Sequence, residues 1–292
     1  MNKILVIGSS GYIGSRLSQV LSTNGFEVFG LDQKKSQSES VPASLADYGK
    51  LVKSDIKDFK HLVLLAAHSS VTESKNDPSG TIVNNILSLQ NLIEIMSQEQ
   101  ILYFASSASV YDGVKYIEAQ ETGVLSSPRN IYDLSKRTGE DLILMNNVNS
   151  VIFRFGTVNG PSPNMRFDLV INSMVLSAIK NKRINLSNPE VHRAILSIND
   201  LCDAVLNSIR NNFGESKREI LNLASFNTSI GEIANQVSWY FKVPIENMES
   251  GPTYDFSMSS QKAHELIEFN PKDSMMDIIL GIERRIQKST DA

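Results

Sequence analysis

Tyr132 and Lys136 are the two side chains whose spacing points most directly to proton transfer. They stand four residues apart in a stretch with helical periodicity, so both lie on one face of a helix. A tyrosine with a pKa of about 10 is a poor base at neutral pH, and lowering that pKa to about 7 requires about 4 kcal/mol. One cation about 4 Å away, in an effective dielectric of about 20, supplies an interaction of that size. We therefore predict that Tyr132 is an acid/base and that Lys136 lowers its pKa.

A hydroxyl group at Ser107 completes this predicted catalytic set. The apolar run 101–105 is typical of a buried strand, and it leads into the segment 106–111. Ser107 would then lie at the carboxyl edge of a parallel sheet, which is where ligands bind in open α/β folds. A serine at that edge can hydrogen-bond a reacting oxygen and hold it in line with Tyr132.

A glycine-rich turn near the start of the chain predicts a dinucleotide site. Gly8, Gly11 and Gly14 directly follow the apolar run 4–7 and open a helix. Glycines let the backbone turn tightly and approach a pyrophosphate, whose charge is stabilised by the helix N-terminus. The first two glycines are separated by two residues, where the common fingerprint has one.

Asp32 favours NAD over NADP at this site. It closes the second predicted strand, where a carboxylate accepts hydrogen bonds from both adenosine ribose hydroxyls and repels a 2′-phosphate. Lys34 and Lys35 are close by and weaken the preference. The positive nicotinamide ring would act with Lys136 in lowering the pKa of Tyr132.

Short apolar runs alternate with longer amphipathic stretches, a pattern typical of a parallel sheet covered by helices. We therefore predict an α/β fold with a Rossmann-type doubly wound parallel sheet. The predicted strands are 4–7, 27–31, 62–66, 101–105, 151–155 and 219–223. The predicted helices are 11–24 (with a stop at Gly25), 81–97, 132–146, 167–180, 198–211 and 230–241.

The regular alternation weakens after about Gly156, and the segment 160–164 breaks the chain. The strand predicted at 219–223 then returns the chain to the sheet. We predict an NAD-binding Rossmann domain made of residues 1–155 plus about 195–225. Residues of about 156–194 plus 226–292 are predicted to form a small, discontinuous C-terminal substrate-binding lobe.

Composition excludes several classes of protein. The net charge of −4 gives no basic surface for a nucleic acid, and the lone Cys202 excludes an internal disulfide. Four scattered histidines show no metal-ligand spacing. The run 4–7 is too short for a signal peptide, and no run approaches the ~18 apolar residues that span a membrane. We expect a cytoplasmic enzyme without a metal and without a nucleic-acid or membrane partner.

Together these motifs resemble the NAD-dependent epimerase/dehydratase family of extended short-chain dehydrogenases, along nearly the whole chain. The resemblance implies NAD as the cofactor and a nucleotide-diphosphate sugar as the substrate. It also implies that Ser107, three residues before Val110 and Tyr111, is the catalytic serine. The matching stretches are 8–14, Asp32, 64–67, 84–85, 106–111, 132–136, 154–161, and Arg193 with Asp200.

The resemblance assigns the remaining site residues. In the family an Asp after the third strand contacts adenine, and Asp47 with Tyr48 fits that spacing better than Asp55, which leaves too few residues for a helix before Leu62. The implied cofactor-binding residues are Gly8, Gly11, Tyr12, Ile13, Gly14, Asp32, Asp47, Tyr48, Leu65, Ala66, Ala67, Asn85, Tyr132, Lys136, Phe155 and Gly156. The implied substrate-binding residues are Ser70, Ser107, Thr157, Asn172 and Arg193.

Two positions depart from the family pattern. Its Arg-x-x-Asn motif, in which the Asn contacts the substrate, ends here in Thr157, which can still hydrogen-bond. The tyrosine that usually precedes Gly-Pro is Asn159. Arg193 matches the arginine that holds the nucleotide diphosphate. We therefore expect sugar recognition to differ in detail from that of other members.

The residues after Ser107 discriminate among the reactions of the family. The 4,6-dehydratases carry Asp-Glu there for water elimination, whereas this chain has Ala108 and Ser109. The leading interpretation is a 4-epimerase-like mechanism, in which Tyr132 takes a hydroxyl proton and the oxidised sugar is reduced on its other face. The alternatives are a 4-keto-sugar reductase, a 4-dehydrogenase and a non-catalytic dinucleotide sensor. Asp32 disfavours the reductase, which would use NADPH, and the complete catalytic set disfavours the sensor.

Two predicted helices carry apolar residues beyond one stripe, which indicates a four-helix contact in a homodimer. A single core is the alternative, because wide apolar faces also occur on helices that cover a sheet. These residues are Ile82, Ile86, Leu89, Leu92 and Ile93 on one helix and Leu134, Leu142, Ile143 and Leu144 on the other.

Overall fold

A parallel sheet forms the centre of the computed structural model, which describes residues 3–34, 41, 43–113, 118–249, 251 and 253–290. Its seven strands are β1 (Lys3–Ile7), β2 (Glu27–Asp32), β3 (Ala43–Leu45), β4 (His61–Leu64), β5 (Ile101–Ser107), β6 (Ser150–Phe155) and β10 (Arg218–Leu223). Their spatial order is β3-β2-β1-β4-β5-β6-β10, and all neighbours are parallel. The order reverses between β1 and β4, which is the switch point at which such sheets bind ligands.

Both faces of this sheet are buried. In β1, Ile4 and Val6 pack into one cluster of core residues, whereas Leu5 and Ile7 pack into a cluster on the opposite face. The alternation follows from the two-residue period of a strand. Burial on both faces is the reason why the sequence shows continuous apolar runs here.

Helices cover the two faces. One face carries α1 (Tyr12–Thr23), α8 (Ile198–Arg210) and α10 (Gln261–Ile267), and the other carries α2 (Lys53–Ile56), α5 (Ser88–Ile95) and α6 (Ile131–Met145). Two short helices, α3 (Val71–Asn76) and α4 (Pro78–Ile82), pack against α6. A π-helical turn, Val83–Leu87, joins α4 to α5.

A smaller lobe is formed by five further strands and three further helices of the described chain. In it β9 (His192–Ser197) lies between β7 (Thr157–Asn159) and β11 (Phe226–Ser229), while β8 (Ile184–Leu186) pairs with β12 (Ile245–Asn247). Three helices, α7 (Val170–Asn181), α9 (Ile230–Phe241) and α11 (Met275–Thr290), enclose a separate apolar cluster. This separate core supports the division into a Rossmann domain and a discontinuous substrate lobe, which we retain as a proposal.

The predicted fold class is confirmed, but several elements were not predicted. These are the strands β3, β7, β8, β9, β11 and β12 and the helices α2, α3, α10 and α11. All six predicted strands belong to the main sheet, although β4 ends at Leu64 and β5 continues to Ser107. The predicted helix 81–97 is divided, because Asp77 caps a helix that begins at Pro78 and a π-helical turn interrupts it. Lys35 and most of the polar segment 33–40 lie outside the described residues.

Cys202, a residue of α8, packs in the apolar core, and burial raises the pKa of its thiol to about 12. Within the described ranges, no helix is both long enough and apolar enough to cross a membrane. In the same residues, no three His, Cys, Asp or Glu side chains come together in a way that could hold a metal ion.

We expect His61 to make stability depend on pH. Burial, with a contribution from Lys60, lowers the pKa of His61 to about 4, whereas its ordinary value is 6.5. Between those values the unfolded chain binds a proton that the folded protein does not, so stability rises with pH and is lost as pH falls from 6.5 towards 4. The full effect is roughly 3 kcal/mol.

Urea unfolding at a series of pH values tests this expectation. His61→Gln should flatten the slope of stability against pH in this window. Tyr103→Phe is the matched control, because it removes only the hydroxyl that lies 3.2 Å from His61 Nδ1 and leaves the titrating ring. An unchanged slope in His61→Gln would show that another group is responsible.

Candidate active site

Helix α6 carries Tyr132 and Lys136 side by side. The helix begins here because the Asn130 side chain accepts a hydrogen bond from Asp133 N (3.0 Å) and so caps the first turn. Lys136 Nζ lies 5.8 Å from the centre of the Tyr132 ring and donates a hydrogen bond to the Ala105 carbonyl on β5 (2.8 Å). The i, i+4 spacing thus places both groups on the face of α6 that meets the end of β5.

Ser107 ends β5 and caps the 3-10 helix Ala108–Tyr111, with its hydroxyl accepting a hydrogen bond from Ser109 N (3.2 Å). The same hydroxyl is within hydrogen-bonding reach of the Tyr132 phenol. The carboxyl end of β5 and the first turn of α6 therefore bring the predicted Ser107, Tyr132 and Lys136 together. Such a group can transfer a proton to or from a ligand hydroxyl.

The electrostatics of this group differ from the expectation in one respect. Burial raises the pKa of Tyr132, and both the Ser107 hydrogen bond and the Arg166 guanidinium oppose that rise. Burial also lowers the pKa of Lys136 to about 8, against the opposing effect of Glu140. The sequence indicated Lys136 as the cation that lowers the pKa of Tyr132, whereas in the structure the cation that does so is Arg166.

The glycine turn has the geometry that a pyrophosphate requires. Gly8 has a φ of +94°, and a Cβ there would lie 2.5 Å from Ala66 N. A Cβ on Gly14 would lie 2.0 Å from the Gly8 carbonyl oxygen, so α1 can pack onto the turn only without that side chain. Gly11 is exposed at the N-terminus of α1, where backbone N–H groups stabilise a negative charge.

Two observations show that these residues fit a dinucleotide. The hydroxyls of Ser9 and Ser10, inside the glycine turn, are buried and have no hydrogen-bond partner in the described chain. The Asp32 carboxylate at the end of β2 is fixed by Ser10 N (2.9 Å) and Lys34 N (3.0 Å). A carboxylate held in this way keeps lone pairs for ribose hydroxyls beside the turn.

The segment after β4 is bonded to β1 and is connected to α6 through Asn85. The N–H groups of Leu65 and Ala66 both donate to the Ile7 carbonyl (2.8 and 2.9 Å), which holds this segment, including Ala67, beside the glycine turn. Asn85 is buried in the π-helical turn, accepts a hydrogen bond from His68 N (2.8 Å) and donates one to Ser135 Oγ (3.0 Å). Asn85 therefore ties this segment to α6, and its predicted contact with the cofactor stays a prediction.

Asp47 follows β3, and its carboxylate accepts a hydrogen bond from Gly49 N (3.0 Å). Asp55 instead caps the first turn of α2 through Val52 N (2.9 Å), which agrees with the preference for Asp47. Tyr48 is 2% exposed and packs in the core, with its hydroxyl bonded to the Asn84 carbonyl. Its ring is therefore part of the core, and the predicted contact of this segment with the cofactor stays a prediction.

Four further predicted cofactor residues lie at element ends. Ile13 is partly buried in α1, and Phe155 ends β6 in the core. Gly156 is needed because a Cβ there would lie 2.7 Å from the Ala194 carbonyl oxygen. The Tyr12 side chain is a correction: it is buried and donates a hydrogen bond to the Gly160 carbonyl (2.8 Å). It thus joins the glycine turn to the second lobe, and the side chain is not available to a cofactor in this structure.

Asn172 also requires a correction. It is completely buried, accepts a hydrogen bond from Gly160 N (3.1 Å) and donates one to the Arg166 carbonyl (2.8 Å). Its amide holds the loop between β7 and α7, so the side chain is not available to a substrate in this structure. Periodicity alone did not separate this buried face of α7 from a face that lines the cleft.

The other predicted substrate residues are placed differently. Ser70 lines a cleft of about 740 Å³ and caps α3 through Glu73 N (3.1 Å). Thr157 is half-buried at the start of β7. Arg193 is 8% exposed, bonds Thr253 Oγ1 (2.8 Å) and stacks on Phe256, and burial lowers its pKa to about 10. Its predicted contact with a diphosphate stays a prediction.

Arg166 is a site residue that the sequence did not reveal. It lines the same cleft as Ser70, pairs with Asp168 (2.6 Å), bonds Ser69 Oγ (3.1 Å) and acts on the pKa of Tyr132. In the sequence, Arg166 is a single cation after the break at 160–164, and it belongs to no motif. Its place opposite α6 depends on the tertiary fold.

Curated relatives span this chain to different extents. The chain is 25% identical to a putative UDP-glucose 4-epimerase of Methanocaldococcus jannaschii, over 96% of each chain. It is 27% identical to UDP-glucuronate 4-epimerase 1 of Arabidopsis thaliana, over 70% of this chain and 54% of that one. The aligned region thus spans about half the length of the Arabidopsis relative.

Solved structures show the same fold. MoeE5 in complex with UDP-glucose and NAD superposes with a TM-score of 0.88 and 20% identity, over 99% of this chain and 100% of that one. UDP-glucuronic acid 4-epimerase from Bacillus cereus, in complex with UDP-glucuronic acid and NAD, superposes with a TM-score of 0.86 and 22% identity, over 98% and 99% of the two chains.

The doubly wound sheet, the glycine turn and the Ser107, Tyr132 and Lys136 group define a dinucleotide-dependent enzyme of the short-chain dehydrogenase type. The family model for the NAD dependent epimerase/dehydratase family matches residues 4–224. The chain therefore belongs to that family, and the predicted resemblance and the NAD cofactor are confirmed.

Proposed function

We propose that this protein is a nucleotide-sugar 4-epimerase that oxidises and re-reduces one sugar carbon. The observation that carries the proposal is the convergence of Ser107, Tyr132 and Lys136 at the carboxyl edge of β5. The residues that follow, Ala108 and Ser109, are buried and carry no carboxylate for elimination of water. The names of the relatives, a UDP-glucose and a UDP-glucuronate 4-epimerase, support the same reaction.

Each residue has a defined task in this reaction. Tyr132 takes the proton of the sugar hydroxyl and later returns one, and Ser107 holds the reacting oxygen in line. Lys136 and Arg166 stabilise the phenolate of Tyr132. When bound, NAD would supply the acceptor for the hydride of the sugar carbon and the donor for its return to the other face. The glycine turn, Asp32 and Lys136 are proposed to hold it.

The experiment that tests this proposal is a screen of purified enzyme against UDP-, GDP-, CDP- and dTDP-sugars, with products identified by NMR. We expect a sugar inverted at C4. A dehydrated product would support a dehydratase, as in the NDP-hexosamine 5,6-dehydratase TunA, which shares the fold with a TM-score of 0.89 at 19% identity. Consumption of NADH with a keto-sugar would support the reductase.

UDP-glucose and UDP-glucuronic acid are the first pair to compare, because both occur in the names of relatives. Arg166 offers a cation in the cleft beside Tyr132. A preference for UDP-glucuronic acid that disappears in Arg166→Gln would assign the sugar carboxylate to this residue. An unchanged preference would place sugar discrimination elsewhere.

We predict that NAD(H) binds more tightly than NADP(H), because the Asp32 carboxylate would repel a 2′-phosphate. Replacing Asp32 with Asn removes the charge, and we expect NAD affinity to fall about tenfold or more. Calorimetric titration with both cofactors measures this. Tighter binding of NADP(H) by the natural protein would contradict the assignment.

We also propose a homodimer, built from α4, the π-helical turn and α6 of each subunit. Four large apolar side chains on adjoining helices are between 40% and 57% exposed: Ile82, Val83, Leu87 and Leu134. A group of exposed apolar side chains, unlike a single one, marks an interaction surface. The residues predicted for the four-helix contact need correction, because four of them belong to the core of one subunit. These are Leu89, Leu92, Ile93 and Ile143.

Light scattering at micromolar concentration tests the dimer. We expect a dimer mass for the natural protein and a monomer mass for Val83→Glu, since a buried unpaired charge opposes association. Trp239→Glu is the matched control, because Trp239 is 74% exposed on α9, in the other lobe. A monomer mass for the natural protein would remove the proposal.

A further inference from the structure

A buried ion pair lies directly behind the catalytic group. Glu140 follows Lys136 by one helical turn on α6 and is 2% exposed. Its carboxylate accepts hydrogen bonds from Arg154 Nε (3.0 Å) and Nη2 (2.6 Å). It also accepts one from the Ser106 hydroxyl. Both carboxylate oxygens are therefore fixed, and Arg154, itself 2% exposed, comes from the neighbouring strand β6.

This carboxylate reaches the catalytic group by two routes. Along β5, Ser106 lies between Ala105, whose carbonyl accepts the Lys136 Nζ hydrogen bond, and Ser107. Along α6, Glu140 lies one turn from Lys136 and opposes the fall in its pKa that burial causes. The strand and the helix that carry the catalytic residues are thus joined through one side chain.

The other groups around Lys136 do not replace this charge. From β5 it meets the Ala105 carbonyl and the Phe104 ring, and on its own helix it meets the Tyr132 ring. From the π-helical turn, the neutral amide of Asn85 bonds Ser135 instead. On α3, the charge of Glu73 acts on Arg166. In the described structure, Glu140 is the charged side chain that acts on the pKa of Lys136.

A buried ion pair is weak grounds for stability, since apolar residues of similar volume often fold as well or better. The pair therefore needs another explanation. We propose that Glu140 is a positioning residue, whose carboxylate, held by Arg154 and Ser106, keeps Lys136 charged and aligned with Tyr132. This inference rests on the proposed catalytic roles of Tyr132 and Lys136.

NMR titration of ε-¹³C-lysine tests the inference without any sugar. The Lys136 signal, assigned from Lys136→Met, reports the pKa of Lys136, with and without NAD. The pair variant Glu140→Gln/Arg154→Gln avoids leaving one buried charge alone. We expect it to lower the pKa of Lys136 by about one unit, because the carboxylate that opposes the effect of burial is lost.

Glu140→Asp keeps the negative charge and should stay close to the natural value. An unchanged Lys136 pKa in a pair variant that is folded, as judged by circular dichroism, would overturn the inference. Where this pair variant does not fold, the apolar pair Glu140→Leu/Arg154→Met takes its place, because apolar residues of similar volume often replace a buried ion pair without loss of folding. We then expect the same fall in the Lys136 pKa, and a value equal to that of the natural protein would overturn the inference.

The failure of this inference is distinguishable from failure of the proposed function. If the natural enzyme epimerises no sugar but the pair variant shows the expected shift, only the proposed function is wrong. If the natural enzyme epimerises a sugar but the pair variant shows no shift, only the proposed role of Glu140 is wrong.

Discussion

Replacing Tyr132 with Phe should lower turnover by about 10³-fold, because general acid–base catalysis contributes about that much. NAD binding should change little, since the variant loses only a hydroxyl at the end of a ring that stays in place on α6. Steady-state rates with the sugar identified by the screen, together with calorimetry of NAD binding, measure both effects.

Two comparisons make this result specific. Tyr240→Phe is the matched control, because it removes a hydroxyl that bonds Glu283 on the far lobe and should leave turnover unchanged. Lys136→Met should reduce both turnover and NAD affinity, since the lysine is proposed to serve both. Near-normal turnover by Tyr132→Phe would refute the catalytic assignment.

Substituting Gly14 with Ala should abolish NAD binding and destabilise the fold by about 3 kcal/mol, near the upper end for overpacking. The added Cβ would lie 2.0 Å from the Gly8 carbonyl oxygen and 2.9 Å from Ser9 Cα, both in the turn proposed to hold the pyrophosphate. Backbone cannot move aside as a flexible side chain can, so the turn itself must shift. Denaturant unfolding and NAD titration measure the two losses.

Gly25→Ala provides the control for this effect. Gly25 has a φ of +85° but no neighbour within 4 Å of the added Cβ, so the substitution adds backbone strain alone. That strain amounts to about 1–2 kcal/mol and leaves the glycine turn intact. A Gly14→Ala protein that binds NAD like Gly25→Ala would contradict the proposed pyrophosphate site.

The sheet could be predicted because its strands are buried on both faces. Continuous apolar runs separated by helical periodicity leave few alternatives, and the six predicted strands all lie in the main sheet. The strands β3, β7, β8, β11 and β12 were missed, because strands of three or four residues carry no periodic signal. The six-residue strand β9 was missed as well, because its apolar run is only the three residues 194–196. The π-helical turn was missed for a related reason, since it changes backbone bonding without changing the apolar pattern.

In the candidate site, too, the residues fixed by local structure could be predicted and those placed by tertiary packing could not. Ser107, Tyr132 and Lys136 could be placed because each is fixed by a local element, the end of a strand or one turn of a helix. Asn172 was misplaced, because its burial against the loop after β7 depends on packing between the two lobes. Arg166 was missed because its position opposite Tyr132 depends on that loop as well.

In the proposed reaction the enzyme inverts one sugar centre while NAD is regenerated in every turnover. A measurement that starts separately from each of the two C4 epimers of the sugar identified by the screen, with NAD only in catalytic amount, tests this. We expect both reactions to reach the same equilibrium mixture, with no net accumulation of NADH by absorbance. Stoichiometric NADH with a ketone product, or a mixture that depends on the starting epimer, would contradict it.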